Sequence, residues 1–89
     1  MPKAEVSWKR VTDDGQTLQV YAQRVSRDWR FFVREKRFDQ WVPVPEPPLE
    51  DWRLLLDAVQ RLVVRRRLQP DDEDRLRRRI RERFPEAEF

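Results

Sequence analysis

Eighty-nine residues suffice for one small domain, 1–89, with a modest core. Charged residues make up 42% and apolar residues 38%, but Leu, Ile, Val and Phe still number 24 and four tryptophans are present, which reads as a folded domain with a charged exterior rather than a disordered chain. With neither cysteine nor histidine, disulfides, thiolate- or imidazole-based zinc sites and histidine-dependent catalysis are excluded, and the net charge of +3 is built from 17 arginines and three lysines.

The first half reads as strands. Glu5 to Thr12 and Thr17 to Ser26 carry β-type residues, and Thr12-Asp13-Asp14-Gly15 between them is a turn signal. A two-residue turn at Asp14-Gly15 would pair Trp8 with Tyr21 and Val11 with Leu18, splitting the apolar residues over both faces. A type I turn with Gly15 as a left-handed bulge residue shifts the pairing by one. Val6 and Trp8 then share a face with Leu18, Val20 and Ala22, and this register is favoured because it gathers one apolar face. Ser26-Arg27-Asp28 reads as the next turn and Trp29 to Glu35 as a third strand, with Trp29, Phe31 and Val33 on one side and Arg30, Phe32 and Arg34 on the other. After a turn over Lys36 to Asp39, residues 40–45 read as a short fourth strand. Pro43 and Pro45 assign it to an edge, because proline donates no ladder hydrogen bond.

The second half reads as helices. Pro48 is suited to open a helix over 48–68, with Glu50 and Asp51 at its positive end and Arg65, Arg66 and Arg67 at its negative end. Leu49, Trp52, Leu55, Leu56, Val59, Leu62 and Val63 form a wide apolar stripe expected to cover the sheet; Leu54, Ala58 and Leu68 form a weaker second one. Gln69-Pro70 opens a second helix over 70–84, whose first turn is crowded with Asp71, Asp72, Glu73 and Asp74. Asp71–Arg75, Glu73–Arg77 and Asp74–Arg78 are each four apart with the acid first, worth roughly 0.2–0.5 kcal/mol per pair. The apolar stripe here is thin: Leu76, Ile80 and Phe84. Residues 85–89 form a tail. The expected fold is therefore α+β, a three- to four-stranded antiparallel meander over 5–45 covered by two carboxy-terminal helices.

The most suggestive surface is the sheet face opposite the apolar one, carrying Lys9, Tyr21, Arg30, Phe32 and Arg34, with Val11 and Gln19 nearby and Lys36 extending it. Aromatic rings on an open sheet flanked by cations suit single-stranded nucleic acid, since bases stack on the rings while cations neutralise phosphates. The competing and more economical reading is that the second helix or a dimer partner covers this face. The mixed charges of 70–84 read as a solvated, ion-paired helix face. The acidic turn at 71–74 reads as a helix start, since its spacing matches no calcium loop. Arg65, Arg66 and Arg67 form a more isolated cluster that suits phosphate. The four tryptophans read mainly as core, with Trp41, beside the edge strand, the most exposed.

No hydroxyl has a sequence-suggested base beside it, and the single glycine rules out a glycine-rich phosphate loop. No cofactor and no enzymatic activity are expected. The amino terminus lacks an apolar stretch resembling a secretion signal, and no apolar run approaches the roughly 20 residues of a membrane span, so a cytoplasmic protein without a membrane partner is the expectation. The expected function is a small non-enzymatic interaction module whose partner is a protein or a second copy of itself. The alternative is single-stranded nucleic-acid binding by the basic, aromatic sheet face.

Overall fold

The structure, a computed structural model, describes residues 4–25 and 28–87. It is α+β: a four-stranded antiparallel meander in the order β1-β2-β3-β4, followed by two helices. The strands are β1 (Glu5–Val11), β2 (Thr17–Val25), β3 (Asp28–Arg34) and β4 (Val42–Val44); the helices are α1 (Leu49–Val64) and α2 (Pro70–Arg83). The chain divides into two compact units, Met1–Glu46 and Pro47–Phe89.

In the sheet unit, the first hairpin adopts the register that gathers one apolar face. Trp8 lies opposite Val20 and Val6 opposite Ala22. The cause is local. Gly15 donates its N–H to the Thr12 carbonyl (2.9 Å), Thr12 donates to the Gln16 carbonyl (2.8 Å), and Gly15 sits at φ 83°. This left-handed bulge adds the one residue that shifts the pairing. Val20, Ala22, Trp29 and Phe31 are consequently buried, and Trp8 meets Phe31 edge-on at 6.2 Å. The turn read at Ser26-Arg27-Asp28 falls partly on Ser26 and Arg27, outside the described residues. The turn over Lys36–Asp39 forms, with Asp39 N–H donating to the Lys36 carbonyl (2.9 Å) and Lys36 N–H to the Asp39 carboxylate (3.1 Å). It leaves Phe38 93% exposed. The fourth strand is shorter than the expected 40–45. Pro43 and Pro45 withhold donors, so only Val42–Val44 enters the ladder and Trp41 stays just outside it.

In the helical unit, Pro48 is the extended residue before α1 rather than its first turn (φ −68°, ψ 157°). Trp52, Leu55, Leu56, Ala58 and Val59 are buried, as is the acid Asp51, which sits in the first turn as expected. Of the second stripe, Ala58 and Leu68 are buried and Leu54 is exposed. The helix ends at Val64, four residues short of the expected 68. Arg66 adopts φ 61°, its N–H bonding the Val63 carbonyl (3.0 Å), and Arg67 N–H bonds the Leu62 carbonyl (2.9 Å). This pair of bonds closes a helix in a left-handed turn, a place normally held by glycine. Side chains of L-residues are disfavoured there by about 1–2 kcal/mol. Arg66→Gly is therefore expected to raise stability by about 0.5–1 kcal/mol, net of the extra freedom glycine gives the unfolded chain. Thermal denaturation checks this; an unchanged or lower midpoint would contradict it.

Helix α2 begins at Pro70. The Asp72 carboxylate accepts the Gln69 N–H (2.9 Å), so one of the four acids caps the helix. Of the expected pairs, Arg77 and Glu73 meet at 2.9 Å, while Arg75 reaches Asp72, three residues back, at 3.6 Å. Leu76 and Ile80 are buried and Phe84 half-buried. The helix stops one residue before the expected 84, because Pro85 disfavours the helical region at the residue before it and Phe84 turns out at φ −132°, ψ 73°. Arg83 lies over the Trp52 ring at 5.6 Å, tying the end of α2 to the start of α1.

Candidate binding face of the sheet

Alternation along the strands turns Ser7, Lys9, Gln19, Tyr21, Arg30, Phe32 and Arg34 to the same side of the sheet. Tyr21 lies opposite Ser7 on one neighbour and Phe32 on the other, and Lys9 and Arg34 flank Gln19. The face thus brings together all five residues singled out from the sequence. The Tyr21 and Phe32 rings sit 5.9 Å apart at 45°. Lys9 and Arg30 are exposed; Tyr21, Phe32 and Arg34 are half-buried. Val11 lies at a corner of this face, 65% exposed, and Lys36 belongs to the turn beyond β3.

Trp41 is the member that sequence reading missed. Its partial exposure beside the edge strand is as expected, but its place on this face is not: its ring packs on Tyr21 at 5.4 Å and 36°, and the Arg34 guanidinium lies 4.2 Å over it. Arg34 is held from the other end by Gln19, whose side-chain oxygen accepts its Nε–H at 2.7 Å. The signal lay in the register. Pro43 pairs with Phe32, so stepping two residues along each strand sets Trp41 against Arg34 on the same side. Ser7, Lys9, Gln19, Tyr21, Arg34 and Trp41, with Trp8, enclose an open hollow of about 400 Å³.

Comparison with known proteins returns no matching family model, no matching curated protein and no matching solved structure. The chemistry of the face therefore has to be read from its own residues. It offers a cation stacked on an indole, two further rings, and the Lys9 ammonium and Arg30 guanidinium at its margins. Stacking and charge make such a surface chemically suited to flat or anionic groups.

Partial burial raises the Tyr21 phenol above its usual range, and the Glu5 carboxylate adds to this by accepting a hydrogen bond from its hydroxyl and by its negative charge. A raised folded value means that the native state holds this proton more tightly than the unfolded chain does. The associated stability is present below the ordinary tyrosine value and is lost as pH rises through the folded one. Because Tyr21 is the only tyrosine, phenolate absorbance reports it alone. Its midpoint is expected above the model-peptide value and is expected to fall in Glu5→Gln. An identical midpoint in both proteins would remove Glu5 from the account.

The other candidates do not assemble into a site. Arg65, Arg66 and Arg67 are exposed at the end of α1, and no group of three or more acidic side chains among the described residues is placed to hold a metal ion. Among the same residues, no helix is long and apolar enough to cross a membrane.

Proposed function

We propose that the chain is a small non-enzymatic interaction module that binds a protein, or a second copy of itself, through the sheet face around Tyr21, Phe32, Arg34 and Trp41. The observation that carries this reading is the fixed stack of Arg34 on Trp41 on Tyr21 beside an open hollow. Tryptophan, tyrosine and arginine are the residues that dominate interface energetics. Here their rotamers are ordered by one another before any partner arrives, which lowers the entropy lost on binding. Lys9 and Arg30 form a charged rim.

A photo-cross-linking residue in place of the exposed Arg30 tests this, with one at the exposed Arg61 on α1 as the control. A discrete protein adduct from position 30 alone is expected in an extract of the source cells. No adduct above the control would overturn the assignment of this face.

A second reading has its own observation. Arg30 and Arg34 flank the half-buried Phe32 along β3, and Lys9 lies beyond β2 on the same side, which suits the bases and phosphates of single-stranded nucleic acid. It ranks second because Trp41 already spends its ring on Arg34 and Tyr21. Salt-sensitive quenching of tryptophan fluorescence by short single-stranded DNA or RNA, lost in a folded Phe32→Ala, Arg34→Ala variant, would move it to first. No response below about 100 μM at low salt would remove it, since non-specific binders reach roughly 10⁻⁴–10⁻⁶ M.

A further inference from the structure

We propose that β1 is a self-pairing edge: two copies of the chain join antiparallel through β1, centred on Ser7, to make one continuous sheet. This pairing uses the edge of the sheet rather than its face; Lys9 borders both, and the charge-exchanged protein, which restores only the edge pairs, tells the two apart.

The strand order leaves β1 and β4 as the two edges, and among the described residues no other strand pairs with β1 on its outer side. The two edges differ. β4 has three residues, with Pro43 inside it and Pro45 beside it, so it is a poor template for another strand. β1 has seven residues and no proline.

Hydrogen-bond phase fixes which residues β1 offers. Thr12 N–H donates to the Gln16 carbonyl at 2.8 Å and Arg24 N–H to the Ala4 carbonyl at 3.0 Å. In an antiparallel ladder, every second residue bonds the same neighbour. Ala4, Val6, Trp8, Arg10 and Thr12 therefore face β2, while Glu5, Ser7, Lys9 and Val11 direct their backbone groups outward.

A partner copy must meet those groups with its own. Centring the pairing on Ser7 does so and sets Glu5 opposite the partner's Lys9 and Lys9 opposite the partner's Glu5. On the other side of the sheet, Val6 meets the partner's Trp8, and Trp8 meets the partner's Val6. Opposite charges and aromatic–branched pairs directly across a ladder are both stabilising. A shift centred on Trp8 keeps the hydrogen-bond phase but sets Ser7 against Lys9 and Glu5 against Val11, and the charge pairs are gone. The Ser7-centred arrangement is isologous and closes on itself, leaving only the proline-bearing β4 edges outside. Its two-fold axis runs perpendicular to the sheet, so both binding faces lie on the same side and double the surface presented.

Sedimentation equilibrium from micromolar to millimolar protein tests this. The wild type is expected to dimerise, and Lys9→Glu to weaken the dimer by about tenfold or more, because two attractive pairs become repulsive. The combined Glu5→Lys, Lys9→Glu protein is expected to dimerise again, with the signs exchanged. Ser7→Pro removes an outward N–H and none bonded to β2, so it is expected to give a monomer with an unchanged circular dichroism spectrum. A wild type that stays monomeric throughout, or a dimer indifferent to Lys9→Glu, would overturn the proposal. Loss of the dimer without recovery in the charge-exchanged protein would overturn its register. The charge series answers the question even if Ser7→Pro does not fold.

Discussion

Trp52→Ala is expected to cost about 3–5 kcal/mol, the range for deleting a buried aromatic side chain. Trp52 is 1% exposed in the first turns of α1, and Arg83 at the end of α2 packs its guanidinium over the ring. Removing the indole opens a large cavity and leaves that cation without its stacking surface. A chain of this length has roughly 4–13 kcal/mol to lose in total. At about 4–8 °C per kcal/mol, the midpoint of thermal unfolding should fall by at least about 12 °C. Urea denaturation followed by the helical circular dichroism signal gives the free energy directly. A loss below about 1 kcal/mol would mean that the site collapses around the deletion, and that the helical unit does not depend on this ring. Arg83→Ala is expected to cost far less, because an exposed cation–π contact is worth only about 0.5–1 kcal/mol.

The residues that were legible in the sequence are those whose local chemistry and burial pattern agree. Gly15 after two aspartates, with alternating apolar residues on either side, specified both the hairpin and its register. Gln69-Pro70 before four acids specified the start of α2, down to a carboxylate within reach of the Gln69 N–H. Where the two disagreed, the reading failed. The end of α1 carries no glycine. Three arginines and Leu68 continue a helical pattern, and only the left-handed backbone of Arg66 stops it. Asp51 belongs at a helix start by its charge, and nothing local signals that it is also buried there. On the candidate face, Tyr21 and Phe32 met through simple period-two alternation, whereas Trp41 required the register of the fourth strand against the third, which its few residues do not specify. Function was least legible, because the residues of the candidate face are ordinary in type and only the fold brings them together.

Trp41→Ala should therefore separate a binding face from a merely decorated one. The indole contributes through its packing on Tyr21, about 0.5–1.5 kcal/mol, and through the Arg34 cation above it, about 0.5–1 kcal/mol. Stability is expected to fall by about 1–2.5 kcal/mol, the sum of those two contacts, with the chain still folded at room temperature. A double-mutant cycle with Arg34→Ala should recover the stacking energy as a coupling, because the two side chains touch. The functional consequence should be larger than the structural one. Without Trp41 the hollow loses a wall, Tyr21 loses its cover, and Arg34 keeps only its bond to Gln19. Affinity for the partner identified by cross-linking should drop by about a hundredfold, as for interface anchors that cost more than 2 kcal/mol. Phe38→Ala, at the exposed tip of the β3–β4 turn, is the matched control for losing an aromatic ring that no neighbour covers. Unchanged affinity in Trp41→Ala, with the expected loss of stability, would mean that the Arg34–Trp41–Tyr21 stack supports the sheet and that the partner binds elsewhere.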